Sequence, residues 1–430
     1  MITLYTIHYT LHITHYTLYI TMKFDTIIIG GGLSAFTAGI RLAKAKQAVA
    51  LIGTGQSSLL FNSGTFDLLG FDAEGKEVQN PLEAIVSLPA GHPYHKVSDI
   101  RGAIAEAKDL LSETGIIAAG DDSYNHYRLS PIGMQAPTWL SLDGMLTTDG
   151  KTLPYKDVVL ANIEGFLDFH TEFLRPALEQ LGAHVTVSTF TTPELTKARK
   201  SPSEFRATTI GNYLDSREAA MNLAQALNAL PKADAIIIPA ILGLRGDIAQ
   251  TIVREQVKTP VLSLATMHPS RCGMRIQEQL RRRFTDLGGE VFLSDTVERA
   301  DIDGTVKAVY THNMVEESLR ADNFILATGS FMSRGLSSNY QTVWEPIFHA
   351  DVNASKNRDD WHDPKFFNTQ AFLSYGIVTD DKLHVIKDGS PVSNLYAVGS
   401  ILADNDFNHY ADHEGVDMLT ALEAAKNILL

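Results

Sequence analysis

Three isoleucines, Ile27-Ile28-Ile29, run directly into Gly30-Gly31-Gly32-Leu33-Ser34-Ala35, and an amphipathic stretch over 36–46 carrying Phe36, Ile40, Leu42 and Ala43 follows at once. A buried strand, a glycine turn and a helix in that order form the first half of a nucleotide-binding βαβ unit. Gly30, Gly32 and Ala35 match the G-x-G-x-x-G/A spacing. The first permits the tight turn, the second lets backbone approach a phosphate, and the third lets helix pack on strand. The helix then turns its free N–H groups and positive dipole end towards an anion. A dinucleotide or flavin is the expected ligand.

About 20 residues further on, such units place an Asp or Glu on the adenosine ribose. Here the second strand, Val49-Ala50-Leu51-Ile52, ends in Gly53-Thr54-Gly55. Either Thr54 or a backbone group holds the ribose, or the cofactor lacks an adenosine half, as FMN does.

With 430 residues the chain has room for two or three domains. Its formal charge of −14 and lack of a basic tract, apart from Arg281-Arg282-Arg283 on an expected helix face, argue against nucleic acid as a partner. The single cysteine, Cys272, excludes an internal disulfide and a self-contained cysteine-ligated iron–sulfur cluster, and points to a reducing compartment. Electrons handled by this chain would leave through a partner. No apolar run approaches the ~20 residues needed to span a bilayer.

Residues 1–21 consist almost wholly of Ile, Thr, Leu, Tyr and His in near-repeats, with no charged side chain and no signal-peptide pattern. Met22 stands directly before Lys23-Phe24-Asp25 and the first strand, so translation is expected to begin there, with 1–21 a mis-annotated or disordered extension. A metal site from His8, His12 and His15 is the rival reading; no metal site is expected elsewhere.

The fold class expected is α/β: a Rossmann-like FAD/NAD(P)-binding flavoprotein domain from 22–71 plus 267–430, with a smaller α/β domain inserted at 72–266. Strand patterns at 158–161, 184–190, 235–239 and 261–265 alternate with helical ones at 168–181 and 219–230, which argues for a second small parallel sheet. Two later strands repeat the opening plan, one ending Ala327-Thr328-Gly329-Ser330 and one ending Ala397-Val398-Gly399-Ser400. Near the strand ends, Ser57, Ser63, Gly64, Gly329 and Gly399 join Gly30, Gly32 and Ala35 as candidate cofactor-binding residues. Arg206 and Arg275 are either anion ligands or members of structural ion pairs. His92 and His95 are candidates for proton transfer, with a structural role as the alternative.

Taken together, these segments resemble the flavoprotein oxidoreductases of the two-dinucleotide-binding-domain group. More narrowly, Gly55-Gln56-Ser57, Ser63-Gly64, His92-Pro93-Tyr94, Thr138-Trp139-Leu140, Glu204-Phe205-Arg206-Ala207, Arg275-Ile276-Gln277, Gly329-Ser330-Phe331 and Glu345-Pro346-Ile347 resemble the B-subunit family of anaerobic glycerol-3-phosphate dehydrogenases. The resemblance implies bound FMN, with FAD the alternative, and the oxidation of sn-glycerol 3-phosphate to dihydroxyacetone phosphate. It also implies two partners, an A subunit carrying FAD and an iron–sulfur C subunit that passes electrons to quinone. Such a complex lies at the cytoplasmic face of the inner membrane and holds this chain there through its partners. A self-sufficient flavin oxidoreductase and a non-catalytic scaffold are the readings left open beside it.

In one place the chain departs from the family pattern. Where the family is glycine-rich after the last strand, Asp404, Asp406, Asp412, Glu414 and Asp417 crowd the start of the C-terminal helix, with only Gly415 among them. Like charges near a phosphate oppose its binding. Weakened flavin affinity is expected unless these side chains face solvent or a partner.

Overall fold

The computed structural model describes residues 23–55, 57–244, 246–314 and 318–430. The extension at 1–21, Met22 and the histidines at 8, 12 and 15 lie outside the described residues. In chain order the elements that position the site are β1 (Lys23–Ile29), α1 (Leu33–Lys44), β2 (Val49–Gly53), α2 (Ile100–Glu113), β3 (Asp157–Ile163), β4 (His184–Phe190), β5 (Ala235–Pro239), β6 (Val261–Leu264), α3 (Arg271–Asp286), β7 (Glu290–Leu293), β8 (Ser318–Leu326), β9 (Ser390–Ala397) and α4 (His413–Leu429).

Parallel strands in the order β7-β2-β1-β8-β9 form the middle of the larger sheet. β1 is central, hydrogen-bonded to β2 on one side and β8 on the other, and Ile27 and Ile28 are wholly buried. A strand covered on both faces needs a continuous apolar run rather than an alternating one, which is why the isoleucines stand together. A hairpin of Val297–Asp303 and Thr305–Thr311 continues from the first half of β8.

Helices α1, α3 and α4 pack together on this sheet. α3 begins at Arg271 because the Ser270 hydroxyl accepts the Gly273 N–H and caps it. Its buried face is Cys272, Ile276, Leu280 and Phe284, a strict four-residue spacing, while Arg282 is exposed. Phe284 lies against Gly39 of α1, where a Cβ would come within 2.9 Å of the ring. Gly39 is thus a further small residue of the opening motif, and it serves helix-on-helix contact.

The second sheet is parallel throughout, in the order β4-β3-β5-β6. It has its own core, including Val159, Leu160, Leu174, Leu223 and Ile237. The division between the two cores falls later than residue 72. Val78, Tyr94, Ile104, Leu111 and Trp139 all pack into the first core, since α2 lies on α4 and the Leu140–Leu142 strand pairs with Thr65–Phe66. We propose that the chain passes into the second unit near residue 146, where Leu146 donates to the Ser263 carbonyl at 2.9 Å, with Leu129 of the preceding segment already reaching into the second core.

Candidate flavin site at the strand ends

Three strand-to-glycine turns meet at the carboxyl edge of the larger sheet, the position where open α/β sheets bind ligands. Gly30 closes β1 at a φ of +142°, and a Cβ there would lie 2.1 Å from the Ala327 carbonyl oxygen at the end of β8. Gly399 closes the β9 turn at a φ of +74°, and a Cβ there would lie 2.3 Å from Asp417 Oδ1 and 2.8 Å from Ser34 Oγ. The turns therefore touch, and Gly329 completes them beside Ser400.

Gly32 differs from these. It caps α1 without a side-chain bond, and a Cβ built on it or on Gly31 would meet nothing within 4 Å. The backbone just before α1 is thus unobstructed at Gly31 and Gly32, and Ala35 is fully buried behind it. In the adjoining turn the Thr328 hydroxyl is buried and lacks a hydrogen-bond partner among the described residues. Open backbone at a helix start, with an unpaired hydroxyl one strand away, fits a flavin phosphate.

The loop after β2 supplies the other wall. Ser57 caps the short Ser58–Phe61 turn and donates to Gln277 Oε1 at 3.1 Å, while Gln277 donates to the Gly55 carbonyl. Asn62 Oδ1 accepts the Gly64 and Thr65 N–H groups, and Gly64 sits against Cys272. Arg128 donates to Ser63 Oγ at 3.3 Å and to Asp67 Oδ2 at 2.9 Å. Asp67 holds the guanidinium pKa above its ordinary value, against the effect of burial.

Four of the five carboxylates of the C-terminal turn, Asp406, Asp412, Glu414 and Asp417, turn inward onto donors of this chain, while Asp404 stands at the surface. Asp412 is wholly buried and bonds His92 Nε2 at 3.0 Å. Glu414 accepts from Asn62 Nδ2 and from the Asp67 N–H. Asp417 accepts the Ser400 N–H, Asp404 accepts Asn353, and Asp406 caps the Phe407–Tyr410 turn. Burial raises the pKa of Asp404, Asp406, Glu414 and Asp417 above the ordinary carboxylate range. Burial opposes protonation of His413, yet Asp417, Glu414, Asp412 and Asp67 together hold its pKa above the ordinary imidazole value. Asp406, Asp412, Glu414 and Asp417 are thus each met by a donor within the chain itself.

The candidates for proton transfer and anion binding separate. His92 accepts the Tyr94 N–H at Nδ1, so its proton sits on Nε2 and faces Asp412. That is the geometry of a structural pair, and His95 likewise bonds the Leu88 carbonyl. Arg206 pairs with Asp168 at 2.9 Å in the second unit, where Asp168 also accepts the Ala207 N–H. Arg275 lies elsewhere again, bonded to Gln250 in a cleft between the two sheets. Sequence reasoning missed Asp67, whose partners Arg128 and Thr138 lie 61 and 71 residues away with no local signal.

This arrangement is that of a flavoprotein, and the sequence matches the FAD binding domain family over residues 25–417. The chain is 37% identical over 417 residues to the B subunit of anaerobic glycerol-3-phosphate dehydrogenase from Yersinia pseudotuberculosis, in a match that covers 95% of this chain and 98% of that one. The corresponding protein of Pectobacterium atrosepticum is 35% identical over 415 residues, covering 95% and 99%. The chain belongs to this B-subunit family and is a flavoprotein oxidoreductase. Among solved structures, the match to the 3-ketosteroid delta1-dehydrogenase of Sterolibacterium denitrificans covers 95% of this chain and 99% of that one at 10% identity, with a TM-score of 0.43. At that distance the likeness bears on neither ligand nor activity. Among the described residues no helix is long and apolar enough to cross a membrane.

Proposed function

We propose that this chain is the flavin-bearing B subunit of a complex that oxidises sn-glycerol 3-phosphate to dihydroxyacetone phosphate. The observation that carries the reading is the junction of the Gly30, Gly329 and Gly399 turns around the open backbone of Gly31 and Gly32. Gly30 and Gly32 form the phosphate turn at the start of α1 with Ala35 buried behind them, and Ser57, Ser63, Gly64, Gly329 and Gly399 line the path of the flavin. A flavin held there would supply redox chemistry able to link a two-electron oxidation to one-electron carriers.

The part played by the chain is binding and orientation. The α1 N-terminus neutralises phosphate charge, the inward-turned carboxylates fix the start of α4, and Arg128 keeps Asp67 and Ser63 in place. FMN is the cofactor we favour, because Gly53-Thr54-Gly55 offers no ribose carboxylate; FAD is the second reading, favoured by the family description. With one cysteine, the chain hands its electrons to an iron–sulfur partner, the C subunit, beside an FAD-bearing A subunit, and so on to quinone at the cytoplasmic face of the inner membrane.

The visible spectrum of the purified chain, followed by heat release and chromatography of the chromophore, tests the cofactor. Released FMN supports the favoured reading, and FAD supports the second. A colourless protein that takes up neither flavin on incubation overturns both. Quinone reduction dependent on glycerol 3-phosphate is expected only when all three proteins are combined.

A further inference from the structure

Asn62, Asn125 and Asn405 are the buried asparagines among the described residues. The first two spend their amides on the chain: Asn62 bonds its own loop and Glu414, and Asn125 Nδ2 donates to the Leu69 and Val78 carbonyls. Asn405 does not follow them. It is 2% exposed, yet neither its Oδ1 nor its Nδ2 has a hydrogen-bond partner, and among the described residues it alone leaves both polar atoms of a buried side chain unpaired. The residues on either side are engaged. Asp404 stands at the surface and accepts from Asn353, and Asp406 caps the Phe407–Tyr410 turn.

An amide taken out of water without a partner is costly, and buried side-chain amides are ordinarily paired. A primary amide offers an acceptor and a donor side by side. The segment that carries Asn405 leaves the Gly399 turn at the end of β9, where Leu402 donates to the Gly399 carbonyl, and enters α4 at His413. In the strand order β7-β2-β1-β8-β9, β9 lies on one side of the phosphate turn that closes β1. β2, whose end receives an adenosine ribose in folds of this kind, lies on the other. The β9 side is therefore where the flavin ring belongs. The pyrimidine edge of that ring carries N3–H between two carbonyl oxygens, a donor flanked by acceptors and so the complement of a primary amide, whereas a phosphate offers acceptors.

We propose that Asn405 binds the imide edge of the flavin, with Oδ1 accepting N3–H and Nδ2 donating to an adjacent carbonyl oxygen. The inference rests on the proposed flavin site and adds to it a residue outside the glycine turns and the hydroxyl-bearing loop. FMN and FAD share this edge, so the assignment holds for either cofactor. Asn405 then destabilises the flavin-free fold and stabilises the loaded one.

The full chain is titrated with FMN and FAD and with the N3-methyl derivative of whichever it binds, and dissociation constants are read from flavin fluorescence. Melting curves of the flavin-free proteins are recorded in parallel. The native chain is expected to bind the N3-methyl flavin about tenfold or more weakly than its parent, the scale of a lost hydrogen bond that leaves a buried amide unpaired. N405A removes the amide and leaves room for the methyl group, so it is expected to weaken parent binding about tenfold and to close the gap between the two flavins. N405L keeps the branched shape without the polar atoms, and its flavin-free melting temperature should equal or exceed that of the native chain while flavin affinity falls. Equal binding of parent and methyl derivative by the native chain, or a gap unchanged in N405A, would overturn the proposal and leave the flavin site standing. A lower melting temperature in N405L with native flavin affinity would do the same, assigning the amide to an internal water. A chain that takes up neither FMN nor FAD overturns the proposed cofactor, and this assignment with it.

Discussion

Asn62 donates to Glu414 at 2.8 Å across 352 residues of chain, tying the first loop after the nucleotide turn to the start of the last helix. The substitution N62D keeps the shape but turns the donor into a carboxylate facing Glu414. A loss of about 3 kcal/mol is expected at pH 8, the cost of breaking a buried hydrogen bond to a charged group. Burial and Asp67 raise the Glu414 pKa, so Glu414 takes up a proton more readily on acidification and the loss shrinks towards pH 5. Denaturant melts at the two pH values decide the matter; equal losses would show that Glu414 does not titrate against this partner.

Gly30 and Gly32 are two residues apart and should respond in opposite ways to the same change. G30A forces a Cβ into the Ala327 carbonyl at a positive φ and should cost about 3 kcal/mol or more. G32A meets nothing within 4 Å and should leave the melting curve nearly unchanged, yet it occupies the space assigned to the phosphate. Flavin content of the purified variant should fall at least about tenfold, the equivalent of ~1.4 kcal/mol. Full flavin content in G32A would move the phosphate elsewhere.

Removing the Arg128 charge tests the second wall. R128M strips Asp67 of its cation, and breaking a buried ion pair on one side costs about 3–5 kcal/mol. The double variant R128M/D67L should recover much of that loss, because neither charge is then left alone. A double variant no more stable than R128M would show that the pair is worth little.

His413 gives the chain a pH-dependent stability. Its folded-state pKa lies above the ordinary imidazole value of 6.5, so the stabilisation from its carboxylate neighbours is complete below pH 6.5 and is lost as pH rises through the folded value. The difference in melting temperature between the native chain and H413Q should therefore be largest near pH 6 and shrink at more alkaline pH. A difference that stays constant over that range assigns His413 to packing on Phe407, which it stacks against at 4.8 Å.

Features carried by adjacent residues were legible in the sequence. Three glycine turns, the isoleucine run of β1 and the alternation that builds the β4-β3-β5-β6 sheet are all local patterns. The fate of the acidic turn was not legible, since the partners that turn it inward are remote: His92 is 320 residues from Asp412, and Asn62 is 352 from Glu414. The segment carrying α2 shows the same limit. Its periodicity shows that Ala103, Ile104, Ala107 and Leu111 share an apolar face, but only the long-range contact with α4 shows which core receives it. Arg206 and Arg275 read alike as isolated basic residues, and only the position of Asp168 tells them apart.

The strand order has a consequence for biogenesis. β1 and β2 emerge from the ribosome first, but β8, β9 and the Gly399 turn that seats against Ser34 are made last. At about 5–20 residues per second, roughly 20–70 s separate Gly30 from Gly399. During that interval the unit containing β3 to β6 has all its strands and can form its own core, while the phosphate turn waits with one flank of its sheet exposed. A nascent chain stalled before β8 would therefore present bare edge strand to chaperones and proteases rather than a finished sheet, and a flavin seated as proposed at the three turns could be captured only once they are all made.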